Sequence, residues 1–113
     1  MPSFKEKHSL QKRKSESERI QIKHPNRIAV IVEAPEELQL NKCKYLVPYE
    51  LTMGQLQHII RKRMKTLKPE QALFLFCRKT IPATNSLMSQ IASENRDEDG
   101  FLYFQAARES TFG

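Results

Sequence analysis

The sequence lacks any arrangement of residues that is typical of an enzyme active site. It contains only three glycines and neither a GxxxxGK[ST] nor a GxGxxG pattern, so a phosphate-binding loop is hard to form. The three histidines, His8, His24 and His58, are scattered, without metal-ligand spacing or a neighbouring nucleophile. The acidic run Asp97-Glu98-Asp99 is explained better by a turn than by a cation site. The sequence therefore predicts that the protein is not an enzyme and holds no metal.

Cysteines and long apolar runs are also scarce. Cys43 and Cys77 lack CxxC spacing and no signal peptide precedes them, so both thiols are expected to be reduced. No apolar stretch approaches the roughly 18 residues that a membrane span requires. We therefore expect a soluble, cytoplasmic protein whose contact with membranes comes from surface binding or covalent modification.

Positive charge is concentrated towards the N-terminus. Residues 1–27 hold eight Lys and Arg against three Glu, in a chain with a formal net charge of +6. A second basic group, Arg61-Lys62-Arg63 with Lys65, lies in the middle of the sequence. Such clusters indicate an acidic partner, and nucleic acid, anionic lipid and acidic peptides all fit. A merely solvated surface explains them equally well.

The first quarter of the chain predicts two helices. Ser3 is a suitable cap for a short helix ending near residue 8, and Ser9 for a second helix, Leu10–Lys23. Pro25 stops the second helix because proline cannot continue the hydrogen-bonded ladder. The second helix carries few large apolar residues, so we expect residues 1–26 to form an extension that docks lightly on the main domain.

The rest of the chain alternates between strand and helix patterns. The β-branched run at 28–32 is typical of a strand covered on both faces, and Thr52 with Gln55 forms a capping-box pattern ahead of an amphipathic helix. Further predicted elements are strands at 43–47, 73–77 and 101–104, a short edge element at 81–82, and a helical turn or two at 87–92 capped by Asn85 or Ser86.

This order of elements predicts an α+β protein with the ubiquitin-like β-grasp fold. A hairpin of two strands, a crossover helix and two further strands give a four-stranded mixed sheet around one main helix. The ubiquitin-like domain is expected to span residues 27–106, preceded by two extra N-terminal helices. Residues 107–113 carry no helix signal and are expected to form a flexible tail.

The strand at 43–47 carries apolar residues on both faces. Alternation puts Lys44 and Leu46 on one face and Tyr45 and Val47 on the other, although the strand should lie at a sheet edge. An uncovered edge presents unpaired backbone groups, so a peptide can add as a further strand. Apolar pockets on either side would then bind alternate side chains of that peptide. Burial of both faces by the protein's own helices is the alternative.

Six segments in order resemble the autophagy-related ubiquitin-like modifiers, the family of GABARAP and the microtubule-associated light-chain proteins. They are RIAVIVE at 27–33, KYLVP at 44–48, LTMGQ at 51–55, IRKR at 60–63, ALFLF at 72–76 and the Phe112-Gly113 ending. The likeness covers nearly the whole chain, including the basic N-terminal helical pair.

The resemblance implies conjugation through Gly113, which follows Phe112. A cysteine protease would expose the glycine where a tail follows it, and whether such a precursor exists stays open. Activating and carrier enzymes would pass the glycine carboxylate to the amino group of phosphatidylethanolamine, and no cofactor is implied beyond this covalent lipid. A lipidated pool on autophagosome membranes would recruit receptors whose peptides carry an aromatic residue and, three positions on, an aliphatic one.

The same resemblance assigns residues to two peptide pockets. The aromatic pocket is expected to involve Glu16, Ile20, Ala29, Lys44, Leu46 and Phe101, and the aliphatic pocket Tyr45, Val47, Pro48, Leu51, Leu56 and Ile59. Arg27 and Arg63, together with Lys44, would meet acidic residues that flank such peptides. For Leu56 and Ile59, ordinary packing in the helix core is an equally good explanation.

Two other functions fit part of the sequence. A related modifier joined to a protein lysine would share the fold and the terminal glycine, although the N-terminal helical pair favours the lipid-linked branch. A basic module for RNA or microtubules would use the N-terminal charge. RNA binding calls for exposed stacking aromatics, but the Phe residues lie in apolar runs and are expected to be buried. Nucleic acid is therefore not an expected partner.

Overall fold

Residues 3–109 are described by a computed structural model, and they contain four α-helices and four β-strands. The helices are α1 (Phe4–Lys7), α2 (Leu10–Lys23), α3 (Met53–Lys62) and α4 (Met88–Asn95). The strands are β1 (Arg27–Glu33), β2 (Lys44–Pro48), β3 (Phe74–Phe76) and β4 (Leu102–Ala107). A single 3₁₀ turn, Glu36–Leu38, lies in the connection between β1 and β2.

Local sequence signals determine where the first three helices begin. Ser3 forms a complete capping box with Glu6, and Thr52 does the same with Gln55. Ser9 caps α2 by accepting a hydrogen bond from the Lys12 N–H at 3.2 Å. Each side-chain oxygen satisfies a backbone donor that the first turn of a helix leaves free. The caps predicted from the sequence for these helices are confirmed.

The start of α4 differs from the prediction, which placed its cap at Asn85 or Ser86. Leu87 precedes the helix instead, and its N–H donates to the Gln90 side chain at 3.0 Å. The carbonyl of Ser86 is engaged elsewhere, because it accepts a hydrogen bond of 2.8 Å from the N–H of Met53 at the start of α3. Tertiary pairing with α3 therefore moves the helix start beyond the polar residues.

The four strands form one mixed sheet, as the sequence predicts, and their order in it is β2-β1-β4-β3. β1 is antiparallel to β2 and parallel to β4, and β3 is antiparallel to β4. The predicted edge element at 81–82 is wrong. The chain reverses over residues 77–80, where Arg78 and Lys79 have positive φ angles of 51° and 68°, and β3 ends before this turn.

The sheet has two differently covered faces. The inner face packs against α3 and α4 around fully buried side chains such as Val30, Leu56 and Phe104. The outer face lies under α1 and α2, where Phe4, Ala29, Ile31 and Phe101 are buried together; with Ile20, Leu46 and Tyr103 packed against them they form the outer cluster.

Other expectations concern the thiols, metal ligands and the membrane. Cys43 is an exposed free thiol and Cys77 a buried one, and burial raises the pKa of Cys77. Within residues 3–109, no group of His, Cys, Asp and Glu side chains is arranged to hold a metal ion. In the same range, no helix combines the length and apolar character that a bilayer span needs.

Candidate functional site

The outer edge of β2 offers backbone groups to a partner strand. Among the described residues β2 pairs with β1 alone, and the N–H of Val32 donates to the carbonyl of Cys43 at 2.7 Å. In an antiparallel pair, residues that exchange hydrogen bonds alternate with residues whose backbone groups point away. With Lys44 opposite Ile31 and Leu46 opposite Ala29, the N–H and C=O groups of Lys44 and Leu46 therefore point outward.

Pro48 and Arg27 mark the far end of this edge. Pro48 lies opposite Arg27 in the same alternating register, so the N–H that proline lacks would have pointed outward. The strand therefore stops offering donors at this residue. The Arg27 guanidinium donates to the carbonyl of Leu46 at 3.3 Å, which covers one of the outward acceptors in the free protein.

The outer cluster brings together the residues predicted for an aromatic pocket. Ala29 and Phe101 are buried in it, while Ile20 and Leu46 pack against it and keep part of their surface exposed. The carboxylate of Glu16 is ion-paired with the ammonium of Lys44, and burial lowers the pKa of that lysine. All six predicted residues thus lie at one place between α2 and the sheet. Their role in peptide binding stays a prediction.

Three residues of this cluster were not identified from the sequence. Phe4 lies edge-on to Phe101, with ring centroids 5.5 Å apart, and the Lys44 Nζ is 5.8 Å from the centroid of the Phe4 ring. Ile31 and Tyr103 follow Ala29 and Phe101 by two positions, so strand alternation would have indicated both. Phe4 carries no comparable signal, because it stands in a four-residue helix.

The residues predicted for an aliphatic pocket are divided between the core and the surface. Tyr45, Val47 and Leu56 are buried in the inner core. Leu51 and Ile59 are partly exposed and line a cavity of about 490 Å³, together with Thr52, Gly54, Gln55 and His58. Pro48 is exposed. An aliphatic side chain that reaches this side of β2 would meet Leu51 and Ile59 first.

A larger cavity, of about 720 Å³, adjoins the first residue of β2. Lys44 and Cys43 line it on the strand side, and α1 contributes Phe4 and Lys7. The connection after β1 supplies the opposite wall. This cavity and Pro48 thus lie at opposite ends of β2.

Arg61 and Arg63, in the basic group at 61–63, have different surroundings. The Arg61 guanidinium donates to the carbonyls of Lys68, Pro69 and Gln71, so this residue holds the loop after α3. Arg63 is exposed at the end of the helix. Burial raises the pKa of Tyr45, and the positive charge of Arg63 acts in the opposite direction. The contact of Arg63 with an acidic flank of a bound peptide stays a prediction.

The predicted conjugation site, Phe112 and Gly113, lies outside the described residues. The last strand ends at Ala107, and Arg108 and Glu109 after it are exposed. Strand β4 runs parallel to β1, so Arg108 and Glu109 follow it at the end of the sheet where β1 also finishes.

The fold and the open edge together define a ubiquitin-like protein with two additional N-terminal helices. A family model described as "Autophagy protein Atg8 ubiquitin like" matches residues 12–113. Autophagy-related protein 8 of Mycosarcoma maydis is 51% identical over 114 residues, covering 98% of this chain and 96% of that protein. Autophagy-related protein 8A of Oryza sativa subsp. indica is also 51% identical, covering 98% and 95%. The chain belongs to the Atg8 family of autophagy ubiquitin-like proteins.

Solved structures agree with this assignment. The crystal structure of Trypanosoma brucei ATG8 matches with a TM-score of 0.86 and 35% identity, covering 100% of this chain and 99% of that one. A Plasmodium falciparum Atg8 in complex with a P. falciparum Atg3 peptide matches with a TM-score of 0.87 and 31% identity, covering 99% and 100%. The predicted β-grasp fold is confirmed.

Proposed function

We propose that this autophagy ubiquitin-like protein is conjugated through Gly113 to phosphatidylethanolamine and recruits receptors through aromatic-x-x-aliphatic peptides. The observation that carries the peptide-binding part is the outward N–H and C=O groups of Lys44 and Leu46, which lie between two apolar sites. A peptide strand bonded to these groups would direct alternate side chains to opposite sides of β2. One side holds the outer cluster and the other holds the cavity beside Leu51 and Ile59.

The conjugation part rests on family membership and on the chemistry of glycine. Activation and transfer require close approach to a terminal carboxylate, and a residue without Cβ leaves that carbonyl unhindered. The partners proposed are a processing cysteine protease, an activating enzyme and a carrier enzyme. The P. falciparum relative was solved with an Atg3 peptide, which supports a conjugation enzyme as one of these partners. We place the protein in the cytoplasm, with a lipidated pool on autophagosome membranes and no cofactor beyond the covalent lipid.

Charged and aromatic surfaces support peptide binding over RNA binding. Phe101 and Phe104 are fully buried, so neither ring is free to stack on a base. Lys42, Lys44 and Arg63 are close to β2, where acidic residues flanking a peptide would meet them. Binding through apolar anchors should weaken less with added salt than binding to a polyanion.

The outer edge of β2 forms a groove, with the outer cluster on one side and the cavity beside Leu51 and Ile59 on the other. Titration with a Trp-x-x-Leu peptide tests whether this groove binds peptides. Amide resonances of Lys44 and Leu46 should shift most on this strand, because their N–H groups would donate to the peptide. Methyl resonances of Leu51 and Ile59 should shift with the Leu of the peptide and stay unchanged with a Trp-x-x-Ser control. An absence of shifts over residues 44–47 would reject the assignment of the groove to this strand.

A further inference from the structure

Helix α2 is held on the sheet mainly by polar side chains. Its two buried residues are Arg13 and Ser17, whereas Leu10 and Ile22 are exposed, Ile22 by 83%. Ile20 packs against the outer cluster while it stays partly exposed. Because the hydrophobic effect is not directional, one half-buried Ile does not define the rotation of a helix or its position along the sheet. Hydrogen bonds and ion pairs, which are directional, must therefore define both the rotation of α2 and its position along the sheet.

The carboxylate of Asp99, in the turn before β4, is the centre of these bonds. Its Oδ2 accepts from Arg13 Nη1 at 2.6 Å and from the Tyr103 hydroxyl at 2.5 Å, and its Oδ1 accepts from the Phe101 N–H at 2.8 Å. The Asp99 residue is only 1% exposed. The hydrogen bond that Arg13 donates to this carboxylate raises the pKa of Arg13, and burial together with the same carboxylate raises the pKa of Tyr103.

Two more contacts fix α2 against this turn. The Ser17 hydroxyl donates to the carbonyl of Asp99, one helical turn after Arg13. Gly100 has a φ of 93°, and a Cβ at this residue would overlap the Ser17 hydroxyl, so helix and turn are in direct contact. Arg13 Nε also donates to the carbonyl of His8 at 3.1 Å, which ties the α1–α2 junction to the same point.

The spacing along α2 connects this polar contact to the peptide site. Residues three and four positions apart lie on neighbouring parts of one helix face, so the position of Arg13 and Ser17 determines that of Glu16 and Ile20. A slip of one residue moves a helix by about 1.5 Å and turns it by about 100°. Such a slip would take Glu16 away from Lys44 and Ile20 away from the outer cluster.

We propose that the Arg13–Asp99 ion pair is a positioning element of the peptide site, which sets the register of α2 and thereby the aromatic side of the groove. This inference rests on the proposed peptide-binding function. A buried ion pair adds little net stability compared with an apolar replacement, whereas fixing one register is the best-attested use of such buried groups. Arg13 and Asp99 act through Glu16 and Ile20 and do not touch the peptide themselves.

The test uses variants that avoid leaving one buried charge alone. The double variant Arg13→Met/Asp99→Asn removes both charges, and the amide oxygen can still accept from the Phe101 N–H. Arg13→Lys is the conservative variant, because it keeps a positive charge opposite Asp99. Ile91→Val in α4 is the control, because it removes a buried methyl group below the opposite face of the sheet.

Each variant is titrated with a Trp-x-x-Leu peptide and with an Ala-x-x-Leu peptide. We expect the double variant to bind the Trp peptide about tenfold more weakly and the Ala peptide less than about twofold more weakly, a coupling typical of groups that share a site. Arg13→Lys should bind the Trp peptide nearly as tightly as the wild type does. Ile91→Val should bind both peptides like the wild type. An equal loss for both peptides, or no loss, would overturn the proposal.

A second measurement needs no peptide. In the free protein, NOEs from the methyl groups of Ile20 to the outer cluster report the register of α2. They should weaken in the double variant and persist in Ile91→Val. If the wild type binds neither peptide, the proposed peptide function fails, and these NOEs alone decide whether the ion pair positions the helix. Unchanged NOEs in the double variant would contradict the proposal.

Discussion

The ammonium of Lys44, at the first residue of β2, is ion-paired with the carboxylate of Glu16 on α2. The pair joins the N-terminal helices to the strand whose outer edge is open. It is partly exposed, with 37% of the Lys44 side chain and 26% of the Glu16 side chain accessible. In the proposed function, a peptide with acidic flanking residues would therefore compete with Glu16 for the same cation.

Replacing Glu16 should strengthen binding of acidic peptides. In Glu16→Gln the lysine is released, and affinity for a Trp-x-x-Leu peptide preceded by Asp or Glu should rise by about 0.5–1 kcal/mol, the size of an exposed ion pair. Calorimetry at roughly 0.05 M and 0.5 M salt checks this, because screening should remove the gain at the higher concentration. The same gain with a peptide that has neutral flanks would show that Glu16 acts by another route.

Leu46 should be the main contributor to affinity on the outer face of β2. Leu46→Ala is expected to cost about 1–2 kcal/mol of peptide affinity, as for a central anchor of a binding site. Ile22→Ala is the matched control, since it truncates an apolar side chain on α2 that is 83% exposed. Calorimetry should show a loss for the first variant alone. Equal affinities for the two variants would exclude Leu46 as an anchor.

The two α3 residues predicted for the aliphatic pocket should behave differently. Leu56 is fully buried in the inner core, so Leu56→Ala should lower the free energy of unfolding by about 2–5 kcal/mol. Ile59 lines the surface cavity, so Ile59→Ala should lower unfolding stability by less than about 1 kcal/mol and weaken peptides with an aliphatic anchor instead. Urea unfolding and peptide titration separate the two effects. A large stability loss in Ile59→Ala would place that residue in the core.

Acid should weaken the contact of α1 with the turn before β4, where Lys5 Nζ lies 2.5 Å from an oxygen of Asp97. Burial alone would raise the pKa of Asp97, but the Lys5 and backbone hydrogen bonds and the nearby positive charges hold it below its usual value. A carboxyl group whose pKa is lower in the folded protein stabilises the fold at pH values above its unfolded pKa of about 3.9. That stabilisation is lost as the pH falls through the folded pKa.

Urea unfolding from about pH 6 down to about pH 3 checks this expectation. The stability of Lys5→Met should fall less with acid than that of the wild type, because its Asp97 has lost the lysine that lowers the pKa. Lys7→Met is the control, since Lys7 is exposed on the same helix and Asp97 owes none of its shift to it. Identical acid profiles for Lys5→Met and the wild type would contradict the assignment.

Features carried by local sequence were predictable. The capping residues Ser3 and Thr52 and their partners lie three positions apart, so one short stretch contains the whole interaction. Alternation along β2 correctly separated Tyr45 and Val47 from Lys44 and Leu46 onto opposite faces, although it did not indicate that Tyr45 and Val47 are buried in the inner core. The order of strands and helices was enough for the mixed sheet, because few topologies can connect it.

Features made by distant residues were not predictable. Arg13 and Asp99 are 86 positions apart, and each stands in a charged segment that is ordinarily solvated. Many pairings between the basic N-terminus and the acidic run were possible, and the fold selects one. The contact of Phe4 with Phe101 and the start of α4 after Leu87 likewise depend on tertiary neighbours.

The proposed function requires that Gly113 be joined to a phospholipid. Mass spectrometry of the C-terminal peptide, isolated from cells in which autophagy has been induced, tests it most directly. We predict a mass increase on Gly113 that matches phosphatidylethanolamine, is absent from a Gly113→Ala variant and disappears when the carrier enzyme is removed. A lysine-containing peptide on Gly113 in place of the lipid, or an unmodified glycine under all conditions, would contradict the claim.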